Sequence, residues 1–389
     1  MKRFFEAISD CFGCGNCELV CPKNAITFEQ DDLGNCYPII SDDVCIGCKR
    51  CVKNCPALNP VPTHEFLASY AGWSMLYRKE SSSGGLFSVF ASKVLQSGGV
   101  VYGATSKGIN VFHVRIDSKA DLFKLRGSKY VNSILANIFF QVEKDLNLGI
   151  PVLFTGVACQ IAALYSYLNR DYSNLVTVEV LCKGNISNLL FESYLFKLRR
   201  ELSIEDIQEV QFRYLPSSRY LFRVYDGVRW IIVPKRLNSY MWSFNNSSTF
   251  RDSCYKCAFK RIERVSDLSL GDYHPTKRFL HDMTAGCSLV LANTQKGVSY
   301  ISDILKSNDL KLFALSKQET ILSSKCLRTS MDCHHRRKEI CSDILNPHFD
   351  LSSFAVKYGL KDSLLSSMRY SILGIKFLDL IKTIINYLR

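Results

Sequence analysis

Eight cysteines in two matching runs constrain this chain more than any other feature. Cys11-x2-Cys14-x2-Cys17-x3-Cys21-Pro22 recurs as Cys45-x2-Cys48-x2-Cys51-x3-Cys55-Pro56, each cysteine displaced by 34 residues. This is the spacing of paired four-iron clusters, in which the fourth cysteine of one run ligates the other cluster. Three thiolates on a tight turn reach three corners of an iron–sulfur cube, and proline bends the chain away after the fourth. The expected ligand sets are Cys11, Cys14, Cys17 and Cys55 for one 4Fe–4S cluster, and Cys45, Cys48, Cys51 and Cys21 for the other. Zinc also takes four thiolates, but usually from two separated Cys-x-x-Cys knuckles. Between the runs, Ala25–Glu29 and Cys36–Ile40 read as short strands around the turn-forming Asp31-Asp32-Leu33-Gly34-Asn35. Such a head relays electrons and makes no bonds.

The rest of the composition agrees with a metal-dense head on an ordinary body. Nine of the 17 cysteines lie in the first 55 of 389 residues. The chain start lacks the apolar stretch and cleavage site of a secretory signal, and no run of about 18 apolar residues occurs. The reading is a cytoplasmic protein, where thiols stay reduced and many cysteines mean metal rather than disulfides. Residues 1–60 carry a net charge of −2 and the remainder +15, for +13 in all. The basic residues are dispersed, with one short cluster at Arg336-Arg337-Lys338, so no nucleic-acid partner is expected.

The body alternates strand-like and helix-like segments. Strands are expected at 69–77, 100–105, 111–116, 152–154 and 175–181, with helices from Ser81-Ser82-Ser83-Gly84-Gly85 to about Gln96, then at 133–148, 160–168 and 187–201. That alternation predicts an α/β layer with parallel pairing. Residues 205–250 read as strands or loops, and 266–270 and 287–292 as further buried strands. The expected organisation is α+β: a ferredoxin-type domain at 1–60, two parts of a larger domain at 64–201 and 202–345, and a helical tail at 346–389. There is no G-x-G-x-x-G after a strand and no P-loop, G-x-S-x-G or H-E-x-x-H, so nicotinamide, nucleotide-hydrolysing and hydrolase readings lack support.

Four body cysteines stand at suggestive places. Cys159 and Cys182 follow predicted strands, at the carboxyl ends where ligands collect in open α/β sheets. Cys254-x2-Cys257 is a knuckle needing two more ligands. Together they number four, enough for a third cluster, although Cys159 and Cys182 also fit as packed core thiols. Cys36, Cys287, Cys326, Cys333 and Cys341 read as non-ligands, with Cys36 a small buried hydrophobe and Cys333-His334-His335 a solvated basic turn.

With these residues in view, the chain from Cys11 to about Gly297 resembles the beta subunits of coenzyme F420-reducing hydrogenases and formate dehydrogenases and their bacterial relatives. The resemblance is carried by the double cysteine run; Ser83-Gly84-Gly85; Gly127-Ser128-Lys129-Tyr130-Val131; Phe154-Thr155-Gly156 with Cys159-Gln160-Ile161; Cys182-x-Gly184 with Ser187; Arg251-x2-Cys254-x2-Cys257; and Ser266-Asp267 with Gly271-Asp272. It implies an α/β flavin and iron–sulfur domain after the ferredoxin-type head, with FAD and a third 4Fe–4S cluster on Cys159, Cys182, Cys254 and Cys257. It implies Ser83, Gly84, Gly85 and Lys129 as flavin-binding residues. The activity implied is oxidoreductase chemistry between a ferredoxin-like protein and an organic acceptor or donor, sugar-linked or deazaflavin; a non-catalytic electron-transfer subunit is the alternative. The sequence departs from the family at Val157-Ala158, Lys183 and Tyr273-His274-Pro275, where the family tends to have Thr-Pro, His and an aromatic followed by Trp-Gly. The departures surround the acceptor pocket and leave coenzyme F420 itself unsupported as partner. His274 is the candidate proton donor there.

The tail, residues 371–389, spaces its apolar residues helically with Lys376, Lys382 and Arg389 between them. A basic amphipathic helix of this kind is expected to dock on the body or touch a membrane surface peripherally.

Overall fold

The structure is a computed structural model that describes residues 2–3, 10–214, 221–274, 285–305 and 309–361. The tail at 371–389 lies outside the described residues, as does Pro275. Among the described residues, no helix is long and apolar enough to cross a membrane.

The head is a small antiparallel sheet flanked by the cysteine runs. β1 (Ile26–Gln30) pairs with β2 (Cys36–Ile40), and Lys2–Arg3 adds a short third strand. The turn between them closes on Asp31, whose carboxylate accepts the N–H groups of Leu33 and Asn35 at 2.9 and 2.8 Å.

The body is organised by eight strands: β3 (Ala68–Ser74), β4 (Val100–Lys107), β5 (Asn110–Ile116), β6 (Val152–Val157), β7 (Leu175–Val180), β11 (Leu268–Asp272), β12 (Ser288–Ala292) and β13 (Leu310–Ala314). Their order across the sheet is β13-β3-β12-β11-β7-β6-β4-β5. The four central strands β11, β7, β6 and β4 are parallel neighbours, as the alternation predicts. The outer pairs are antiparallel. One of them is local in origin: Lys107 pairs with Asn110 across a two-residue loop that begins with Gly108, a hairpin turn chemistry.

Both faces of the central strands are apolar because both are covered. Val101, Leu153 and Val178 pack with Phe90 of α1 (Leu86–Gln96) and Ile301 of α6 (Gln295–Ile304). Their sequence neighbours Val100, Tyr102, Val152 and Phe154 pack with Phe139 of α2 (Ile138–Asn147) and Ile161 of α3 (Ala158–Leu168). Helix α2 begins five residues later than the sequence suggests. Ile134 instead bridges Phe112 and exchanges hydrogen bonds with Val111 and His113, and a turn at Ala136-Asn137 leads into the helix.

A second packed layer gathers around α4 (Asn188–Leu202). It contains a three-stranded antiparallel sheet of β8 (Glu209–Tyr214), β9 (Leu221–Tyr225) and β10 (Trp230–Ile232), with α5 (Ser239–Asn245) following. Phe191, Tyr194, Phe212, Phe222 and Tyr240 form its aromatic centre.

The head is clamped to the body by a few contacts. Buried Arg251 donates to the carbonyls of Cys11 (2.7 Å) and Cys36 (2.9 Å), and its guanidinium lies 4.1 Å from the centre of the Tyr37 ring. Phe12 packs against Phe259 with ring centres 5.4 Å apart. The Ser187 hydroxyl donates to the carbonyl of Leu33. Gly34, at φ +77°, comes so close to Leu189 that an added Cβ would lie 2.4 Å from it. Cys36 is exposed rather than buried, because β2 presents it to solvent and offers only its carbonyl to Arg251.

Candidate functional site

The two cysteine runs fold alike at first. Each leaves a glycine at positive φ (Gly13 +68°, Gly47 +66°) and then enters a single helical turn, Asn16–Leu19 or Arg50–Lys53. The structure brings Cys11, Cys14, Cys17 and Cys55 within electrostatic reach of one another. Cys21, Cys48 and Cys51 form a separate group, and Cys45 shares their pocket. Burial, then the charges of Cys11 and Cys55, push the Cys14 thiol up to about 12. Burial raises Cys17, Cys51 and Cys55 as well.

The body repeats this crowding with cysteines from three distant segments. Cys159 sits in the first turn of α3, Cys182 lies two residues past β7, and Cys254 and Cys257 flank the end of the helical turn Asp252–Tyr255. Cys159 is raised by burial and then by Cys182, Cys257, Cys254 and Cys14, so the body set also adjoins the first head set. Burial is the main cause of the rise of Cys182 to about 12 and of Cys254 to about 11. The loop after Cys257 is fixed by Arg264, which donates to the carbonyls of Phe259 (2.7 Å) and Arg261 (2.8 Å) and pairs with buried Glu179 on β7.

Burial disfavours the ionised form of all four half-buried thiols, although Lys260, Arg251 and Arg264 stand near some of them. A group bearing positive metal ions is what would hold them as thiolates. That donor set suits a group carrying several iron ions. Among the described residues, no three metal-binding side chains are gathered around a point as one ion would require.

One cavity of about 1080 Å³ joins these parts. Cys14 from the head and Cys159 and Cys182 from the body reach its wall. So do Ser83, Gly85 and Lys129. Gly85 caps α1 at φ +83°, which leaves the N–H groups of the first turn of an eleven-residue helix toward this space. Gly84 is spent structurally: its N–H donates to Ser288 Oγ (3.0 Å), and an added Cβ would lie 2.4 Å from the Gly72 carbonyl. Ser83 is likewise tied, donating to the Cys287 carbonyl at 3.0 Å.

Lys129 folds back on its own loop, donating to the carbonyls of Arg126 (2.8 Å) and Gly127 (3.2 Å), and burial lowers its ammonium to about 7. His113 lies behind it, bonded to Ser133 Oγ (2.8 Å) and the Thr155 carbonyl (3.0 Å), and burial lowers it to about 4. His274 is exposed on the cavity rim next to Asp272, which pairs with Arg213 at 2.7 Å.

Sequence reasoning missed Cys326. This thiol borders the same cavity, accepts a hydrogen bond from Lys260 at 3.3 Å, and raises Cys182 and Cys257 by its charge. It stands in Lys-Cys-Leu with no cysteine within six residues, so no spacing could have marked it.

Comparison with known proteins gives two family matches. Residues 10–59 match the 4Fe-4S dicluster domain, and residues 151–318 match the C terminus of the coenzyme F420 hydrogenase/dehydrogenase beta subunit. One component of the F(420)H(2) dehydrogenase of Methanosarcina mazei is 24% identical over 216 residues, which is 52% of this chain and 61% of that component. An uncharacterized protein of Methanocaldococcus jannaschii is 23% identical over 321 residues, 72% of this chain and 85% of its own. A chain of the F420-reducing NiFe hydrogenase complex from Methanosarcina barkeri is similar over 76% of this chain and 92% of that one, with 18% identity and a TM-score of 0.46. The protein thus joins a 4Fe–4S dicluster domain at residues 10–59 to the carboxyl-terminal domain of the family of coenzyme F420 hydrogenase/dehydrogenase beta subunits at residues 151–318.

Proposed function

We propose that the chain is an iron–sulfur flavoprotein subunit that passes electrons between a ferredoxin-like partner protein and an organic acceptor or donor. Its head would hold two clusters on the ligand sets given above, and Cys159, Cys182, Cys254 and Cys257 a third. The observation that carries this reading is the single cavity bordered by Cys14, Cys159 and Cys182 on one side and by Ser83, Gly85 and Lys129 on the other. Its volume, just above the roughly 300–1,000 Å³ of small-molecule sites, suits an extended cofactor with a substrate beside it.

FAD, when bound, exchanges electrons singly with clusters and in pairs with an organic molecule. The chain's own residues would bind and orient. The free N–H groups at the start of α1 would receive a phosphate, with Ser83 and Gly84 holding that turn in place. Lys129, with its charge weakened by burial, would supply a positive charge that adapts to its neighbour. His274, on the accessible rim, would deliver a proton to the organic substrate. The name of the Methanosarcina mazei relative favours a two-electron organic partner.

Anaerobic reconstitution of the full chain tests this directly. The expected yield is about twelve irons, from three four-iron clusters, and one tightly bound FAD that reduced ferredoxin bleaches. A Cys254→Ser/Cys257→Ser variant should hold about eight irons. A chain with twelve irons and no retained flavin would leave a pure relay subunit instead.

A further inference from the structure

Lys260 is a buried cation that the relay described so far does not use. It is 9% exposed, and no carboxylate pairs with it among the described residues. Its ammonium donates to the carbonyls of Cys182 and Lys183 (3.2 Å) and to Cys326 Sγ (3.3 Å), which accounts for all three protons. The nearby cations are committed elsewhere: Arg264 to Glu179, Arg251 to the head carbonyls, and Lys183 to the Asn245 carbonyl at 2.6 Å. A charge taken out of water is costly unless an opposite charge faces it. The groups that feel Lys260 most directly are Cys182, Cys254 and Cys257. Among the described residues these cysteines are the acidic groups shown to respond to its charge, and they would become negative on taking up a metal group.

We propose that Lys260 is the built-in counter-ion of the body's cysteine site and raises the reduction potential of the cluster held there, with Cys326 as the acceptor that keeps the ammonium aimed at it. The proposal rests on the third-cluster reading given above. Its physics is Coulombic: each one-electron reduction adds one negative charge to the site, and a fixed cation in a poorly solvated place favours that added charge. The electron comes from a mediator or the neighbouring head set, and no bond or proton is involved. Cys326 has a positioning role and is not a ligand in this scheme. A Lys-to-thiol bond of this kind holds the side chain against the cysteines rather than letting it extend into the cavity.

The test is a mediated redox titration of the anaerobically reconstituted full chain, comparing the natural protein with Lys260→Met and Lys260→Arg. The expected result is that one of three midpoints falls in Lys260→Met by at least a tenfold change in the one-electron equilibrium, about 59 mV, while the other two stay put. Lys260→Arg should keep most of the natural value. Loss of one cluster from Lys260→Met but not from Lys260→Arg would equally support the counter-ion, since the charge is then needed to hold it. An unmoved set of midpoints with full iron, or equal changes in both variants, would overturn the proposal. Natural protein with only about eight irons would remove the third cluster itself, an outcome readable before any variant is made.

Discussion

The two cysteine runs of the head start from identical spacing and end in opposite surroundings. In the first, Cys11 is buried, Phe12 lies against Phe259, and Asn16 is fully buried with its amide donating to the Asn54 carbonyl at 2.7 Å. In the second, Cys45 and Cys48 are exposed, and Ile46, the counterpart of Phe12, is 59% exposed. Spacing therefore dictates the local turn, while the body decides how each turn is solvated. Solvent exposure is one of the factors that set the potential of such clusters, so a duplicated motif becomes two unequal stations by docking alone.

Four tests break or sharpen that inequality. The largest effect is expected from Arg251→Met, which removes two charge-assisted hydrogen bonds and leaves two carbonyls unpaired, costing about 3–5 kcal/mol. In the natural protein a chelator should strip the exposed set first; in this variant both sets should leave together, and two separate phases would contradict the clamp. Phe12→Ala should cost about 2–3 kcal/mol in anaerobic urea titrations. The matching Ile46→Ala should stay within about 0.5 kcal/mol, and equal losses would mean that the two runs are not differently packed. Gly34→Ala forces a left-handed residue into Leu189 and should cost about 2 kcal/mol, seen as a lower thermal midpoint. The smallest change is a gain. Lys49, at φ +58°, occupies the place that Gly15 holds in the first run, and Lys49→Gly should stabilise by about 0.5–1 kcal/mol; a loss there would show that the Lys49 side chain contributes more than its backbone strain removes.

How much of this was legible beforehand depends on range in the chain. The paired runs, the β1–β2 hairpin and the central strands carry their own patterns, so they emerge from spacing and apolar runs alone. The antiparallel flanks do not, because β3 pairs with β12 and β13 over more than 200 residues and nothing local sets that order. The helix expected from Ser133 starts at Ile138 because Ile134 is claimed by the sheet edge, a tertiary contact that propensity cannot weigh. At the site, the glycine and cysteine motifs announced Cys159, Cys182, Cys254 and Cys257 as a set worth testing, and the chain does bring them close. Cys326 and Lys260 carried no motif, and only the folded arrangement sets them beside the others.

The cavity wall is made partly of Phe12, Gly13 and Cys14. Severing the polypeptide after residue 60 would therefore not yield two working halves. The larger fragment would keep its sheet but lose one side of its chamber, and water would stand where the head now fits. The contacts of Arg251, Phe12 and Ser187 act here as masonry: they keep the head seated against the chamber that it helps to wall.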